Sequence, residues 1–123
     1  MRISGVVKRS VGRGKQLGFP TANLNVDPEM EEGIYAGFCT IIPERSRRAS
    51  LIFVGAAETF GESEKRIEIY ILDFEGDLYD KELRVELIEK IRDNQKFESE
   101  ADLIRQMKED ERAARDFFAR RRA

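Results

Sequence analysis

Between Arg66 and Phe74 the chain alternates with period two: Ile67, Ile69 and Ile71 fall on one side of an extended backbone, and Glu68, Tyr70 and Leu72 fall on the other. That pattern predicts a strand with one apolar face. Leu83, Val85 and Leu87 alternate in the same way with Arg84 and Glu86, and the chain continues through Ile88 and Ile91 to a loop at Asp93-Asn94. Gly33 to Ile42 is rich in β-formers (Ile34, Tyr35, Phe38, Thr40, Ile41, Ile42) and stops at Pro43. Ser50 to Val54 holds a continuous apolar run, the signature of a buried strand. Met1 to Lys8 is a first strand interrupted by Gly5, and Leu24-Asn25-Val26 is a short one ended by Asp27-Pro28. Glu44 to Arg48 is expected to be a charged turn, with Arg45, Arg47 and Arg48 at a solvated hairpin tip.

From Ser99 the period becomes helical. Ser99 is placed to cap, and Glu100 and Asp102 sit in the first turn, where acids suit the helix dipole. Leu103, Ile104, Met107, Ala114, Phe117 and Phe118 form an apolar stripe that would dock on the strands. Arg120, Arg121 and Arg122 suit the helix C-terminus better than a nucleic-acid patch. Short strands followed by one helix predict an antiparallel barrel or curled sheet with the helix against it, in one domain over residues 1–123.

The totals narrow the chemistry. There is no histidine and one cysteine, Cys39. That removes His-based acid–base catalysis, Ser-His-Asp arrangements, a structural zinc site and an internal disulfide. Proton transfer therefore falls to a carboxylate, or less readily to a lysine or tyrosine. A net charge of −2 predicts no general attraction to nucleic acid or to an anionic membrane. No apolar stretch approaches a membrane span or a signal peptide, so a cytoplasmic monomer is the expectation.

The remaining signal is local. Gly12-Arg13-Gly14-Lys15 precedes Leu17-Gly18-Phe19-Pro20-Thr21-Ala22-Asn23-Leu24. The glycines permit sharp turns and close approach to a ligand, and such a loop can offer backbone N–H groups to an anion, with Lys15 or Arg13 adding charge. Its spacing is neither a Walker A loop nor a dinucleotide fingerprint, so by itself it could equally be a flexible connection. Thr21 and Asn23 could be ordinary turn residues bonding their own backbone, or two neutral oxygen ligands suited to a magnesium–nucleotide complex.

These motifs together, followed by Gly33-Ile34-Tyr35-Ala36-Gly37, resemble the riboflavin kinase family, also found as the C-terminal half of bifunctional FAD synthetases. The likeness spans nearly the whole chain and is weakest at residues 27–32 and 43–50. It implies a mainly β fold, a six-stranded antiparallel Greek-key barrel with a C-terminal α-helix packed outside. It implies transfer of the γ-phosphate of ATP to the ribityl 5′-hydroxyl of riboflavin. Gly12, Gly14, Lys15, Gly18, Phe19, Pro20 and Thr21 would bind the nucleotide, and Thr21 and Asn23 would hold Mg2+. Asn23, Glu68 and Arg92 would meet the flavin. Ile67-Glu68-Ile69-Tyr70-Ile71-Leu72-Asp73-Phe74 resembles the segment carrying the family's catalytic glutamate, so Glu68 would be the general base, kept ionised close to magnesium.

Four positions depart from the family pattern: Ser10 and Asp80 stand where glycine is usual, Phe53 where bacterial members have asparagine, and Glu58 where proline is common. They bear on loop geometry and rate more than on reaction class. They also motivate an alternative, a non-catalytic flavin-binding or regulatory module on the same barrel, and behind it a barrel with an interaction role only. With no adenylyltransferase domain in these 123 residues, the chain is not expected to make FAD by itself.

Overall fold

The computed structural model describes residues 2–6, 22–24, 30–42, 45–56, 65–74 and 81–122, with backbone alone for 2–6, 22–24 and 122. The fold is mainly β, an antiparallel sheet followed by one C-terminal helix. Its strands are β1 (Arg2–Val6), β2 (Ala22–Leu24), β3 (Gly33–Ile42), β4 (Ser46–Gly55), β5 (Arg66–Ile71) and β6 (Glu82–Arg92), and helix α1 spans Glu100–Arg122. The strands lie in the order β1-β6-β3-β4-β5-β2, every neighbouring pair antiparallel. Strands β3, β4 and β5 follow one another directly, while β6 returns beside β3; this order is a Greek key.

Period-two alternation divides the sheet into two faces. Ile67, Ile69 and Ile71 join Leu83, Val85 and Leu87, Cys39, Ile41, Ile52 and Val54 in the main apolar cluster. The opposite face carries Ile34, Ala36, Leu51 and Leu72, and α1 covers it with Ala114 and Phe118. Phe118 meets Phe38 at 5.2 Å and Phe117 at 5.3 Å between ring centroids, in the tilted and edge-on geometries aromatic pairs favour. Ser99 caps α1 as its sequence requires, its Oγ accepting from the Asp102 N–H at 3.1 Å.

The segment 46–48 overturns an expectation. Strand β4 starts at Ser46, so Arg47 and Arg48 belong to the strand, and only Arg45 (φ 58°) keeps a turn conformation. The Arg47 guanidinium lies 3.6 Å above the Phe38 ring and donates to Glu86 at 2.9 Å. Arg48 lies over Phe74 at 5.0 Å. Arg45 and Arg47 are exposed as expected of a hairpin tip, and Arg48 is half-buried; what changes is that the strand starts earlier, with the arginine stems lying along apolar surface. Smaller differences occur elsewhere. Strand β2 begins two residues earlier than expected, β1 runs through Gly5 without interruption, and β5 ends at Ile71 before a turn at Leu72-Asp73.

Cys39 is wholly buried in the main cluster, and burial pushes its thiol from 9.0 up to about 12. The folded state thus holds this proton more tightly than the unfolded chain does. The associated stability is fully present below pH 9.0 and is lost as pH rises towards about 12. The native protein should leave a thiol reagent unreacted at pH 8 and take up one equivalent only in denaturant. Rapid labelling without denaturant would contradict this packing.

Candidate active site

Glu68 is half-buried on β5, on the face opposite Ile67 and Ile69. The hydrogen-bond register fixes its neighbours. Glu68 stands opposite Asn23 on β2 and opposite Phe53 on β4. Phe53 stands opposite Ile34 on β3, and Ile34 opposite Arg92 on β6. Directly opposed positions in antiparallel pairs share a face. Asn23, Glu68, Phe53, Ile34 and Arg92 therefore form one row across five strands. Three strand spacings, roughly 14 Å, separate Glu68 from Arg92. Three of the residues singled out from the sequence are thus brought onto one line, a relation that their positions in the chain do not suggest.

The row depends on two irregularities. The β3–β6 register shifts between Ala36 and Gly37 and again between Ile34 and Tyr35, leaving Ile88 and Ile91 without partners on β3. Two single-residue bulges advance β6 by two positions in all. Parity is kept, but the residue brought opposite Ile34 is Arg92 where an unbroken ladder would bring Lys90.

Arg92 is held from α1. Its Nε and Nη2 donate to the two carboxylate oxygens of Asp110, both at 2.8 Å, and its Nη1 donates to the Asp93 carbonyl at 3.0 Å. Gln106 also donates to Asp110, at 3.0 Å, and the Arg92 guanidinium stands 5.6 Å from the Phe97 ring centre. Asp110 is 2% exposed, a charged residue inside the docked stripe of the helix. Sequence reasoning passes over it because it is an acid among apolar residues. The signal is its spacing, three after Met107 and four before Ala114.

Two further ties fix the helix to β5 and the turn after it. Tyr70, two residues along the strand from Glu68, donates to Glu111 at 2.9 Å; burial foremost, then this bond to Glu111, pushes its phenol up to about 12. Arg115 donates to both carboxylate oxygens of Asp73, at 3.0 and 2.9 Å, and holds that carboxyl below its usual range. The end of β6 is also tied to the end of β4. Gly55 has φ of 152°, and a Cβ there would stand 2.8 Å from the Asn94 side chain. Only glycine allows that approach in that conformation.

Gly12, Gly14, Lys15, Gly18, Phe19, Pro20 and Thr21, expected to hold the nucleotide, lie outside the described residues, as do Ser10, Glu58 and Asp80. Asn23 is described by its backbone within β2. Among the described residues no helix is long and apolar enough to cross a membrane.

The antiparallel Greek-key sheet thus sets a carboxylate, an aromatic residue and a guanidinium in one row. Comparison with known proteins makes the class specific. The family profile described as "Flavokinase: Riboflavin kinase" matches residues 1–118. The trifunctional protein RibF/MnmA of Mycoplasmoides gallisepticum is 35% identical over 119 residues, covering 94% of this chain and 18% of the relative. The bifunctional riboflavin kinase/FMN adenylyltransferase of Escherichia coli K12 is 33% identical over 118 residues, covering 94% of this chain and 37% of the relative. Among solved structures, one titled as a macrolide-efflux protein from Streptococcus pneumoniae superposes with TM-score 0.78 at 33% identity, over 93% of this chain and 38% of that one. The riboflavin kinase of Trypanosoma brucei superposes with TM-score 0.69 at 24% identity, over 96% of this chain and 79% of that one, a likeness of fold. The chain belongs to the riboflavin kinase family. It spans less than half the length of the first curated relatives it matches.

Proposed function

We propose that this chain is an ATP:riboflavin 5′-phosphotransferase, forming FMN and ADP, and that its sheet closes into the family's six-stranded barrel as a single domain. The observation that carries the reading is the row Asn23–Glu68–Phe53–Ile34–Arg92. It sets a carboxylate at one end and a guanidinium at the other, about the length of an extended flavin from its ribityl terminus to its pyrimidine ring. Glu68 accepts the proton of the 5′-hydroxyl as that oxygen attacks the γ-phosphorus, leaving ADP. With no histidine in the chain, a carboxylate is the base available. Phe53, half-buried beside Glu68, limits water at that carboxylate, while Ile34 lies buried beneath α1 in the same row.

The nucleotide falls to the Gly12–Gly18 loop through its backbone N–H groups, with Lys15 adding charge. The donor set fits magnesium. Asn23 brings an amide to the register position opposite Glu68, and Thr21, two residues earlier, brings a hydroxyl; both are hard oxygen ligands. Bound there, Mg2+ would offset charge on the transferring phosphoryl group. The protein's own share is positioning, since phosphoryl transfer needs little covalent help.

The test is incubation of the purified protein with riboflavin, ATP and magnesium, followed by chromatographic separation of the flavins. FMN with matching ADP, abolished by a chelator, is the expected result. No FMN with ATP, CTP or GTP, alongside measurable riboflavin binding, would replace the kinase reading with a flavin-binding module.

A further inference from the structure

We infer that Asp110 is a positioning residue for the flavin: it locks the Arg92 guanidinium so that its uncommitted N–H groups are presented to the flavin at the far end of the Glu68 row. The inference rests on the kinase reading above and deepens it by naming what aligns the substrate. Arginine has five N–H bonds. Asp110 takes one from Nε and one from Nη2, and the Asp93 carbonyl takes one from Nη1. One N–H on Nη1 and one on Nη2 have no partner among the described residues, and the Arg92 side chain keeps 18% exposure. A fork fixed along one edge and open on the remainder suits a planar ligand with two ring acceptors, as the pyrimidine portion of a flavin offers.

The energetics favour a functional reason for the pair. Burying two opposite charges costs more in lost hydration than hydrophobic packing of the same volume would, so such a pair is weak evidence for stability. Asp110 nevertheless keeps only 3% exposure at its side chain, and both its oxygens are filled by Arg92, with Gln106 adding a second donor to Oδ1. An acid this buried does not meet a ligand directly. Its effect on substrate passes through Arg92, and through the helix that carries it.

The experiment uses the whole chain and reads riboflavin Kd by flavin fluorescence, beside KM for riboflavin, KM for ATP and kcat. Asp110→Asn keeps the shape and removes the charge. Arg92→Lys keeps the charge and removes the fork. Each should raise riboflavin Kd and KM by about tenfold, the loss of one charge-assisted bond, while KM for ATP stays within about twofold. The double variant Arg92→Lys/Asp110→Asn should be no worse than either single change, because one device has been broken twice. Arg92→Met/Asp110→Leu replaces the pair by apolar volume; it should melt close to the parent and still bind riboflavin about tenfold more weakly. Wild-type riboflavin affinity in a folded Arg92→Met/Asp110→Leu protein would overturn the inference, leaving the pair as a clamp for the helix. Equal losses in riboflavin and ATP affinity in the single variants would overturn it as well. A parent protein that binds no riboflavin overturns the kinase reading and this one together, whereas a parent that forms FMN with variants of unchanged riboflavin affinity overturns this one alone.

Discussion

Glu68→Gln is expected to leave the protein folded and able to bind riboflavin while lowering turnover about 10²-fold or more. Glutamine has nearly the same volume and hydrogen-bonding reach, and Glu68 is only half-buried on β5, so packing changes little. What is lost is the capacity to take a proton. Riboflavin Kd should stay within about twofold while the single-turnover rate of FMN formation falls, which is the pattern of an interaction made only in the transition state. The flavin affinity matters as much as the rate. A variant that lost both together would point to a binding role for the carboxylate. Near-normal turnover would remove Glu68 as general base, and with no histidine in the chain the search would pass to the remaining carboxylates, lysines and tyrosines.

Much of this arrangement is legible in the amino-acid sequence, because it is local. The alternation at Ile67, Ile69 and Ile71 needs only the two-residue period of a strand, and all three are buried in the main cluster. Ser99 needs only the orphan N–H groups of a helix start. The motifs around Thr21 and Glu68 point to the family, and the family profile matches residues 1–118. The parts that cannot be read this way are non-local. That Asn23, Glu68 and Arg92 share a row follows from five strands, four registers and two bulges, of which the first has a local marker, Gly37, while the pairings have none. Arg47 and Arg48 mislead because a run of charge suggests a turn, whereas β4 already begins at Ser46. Charge also suggests exposure, which hides Asp110, whose burial depends on an arginine 18 residues away in the sequence.

Gly37→Ala is expected to be among the most destabilising single substitutions in the described part of the sheet. Gly37 needs space rather than an unusual φ. A Cβ there would stand 2.1 Å from the Glu86 carbonyl oxygen and 2.8 Å from Ile52 Cδ1. The isoleucine can give a little, but the carbonyl belongs to the backbone of β6 and cannot yield without disturbing the ladder. Overpacking of this kind costs about 3 kcal/mol or more, out of a total stability on the order of 5–15 kcal/mol. Thermal unfolding should move down by roughly 10 °C, and the urea midpoint should fall with little change in slope. The site should feel it too. Gly37 is the residue at which the first bulge sets in, and the two bulges decide that Arg92 stands opposite Ile34. If β6 relieves the clash by resetting the ladder, Lys90 replaces Arg92 in the row, and the fork held by Asp110 leaves the line of Glu68. The chain would then lose riboflavin affinity at temperatures where it is still folded, while Glu68 keeps its place on β5. A Tm within about 2 °C of the parent would mean that the β3–β6 approach is looser than this geometry requires. Lowered Tm with unchanged riboflavin Kd below the transition would mean that the bulges withstand the strain, and that the row is set by the strands on either side of Gly37 rather than by the glycine.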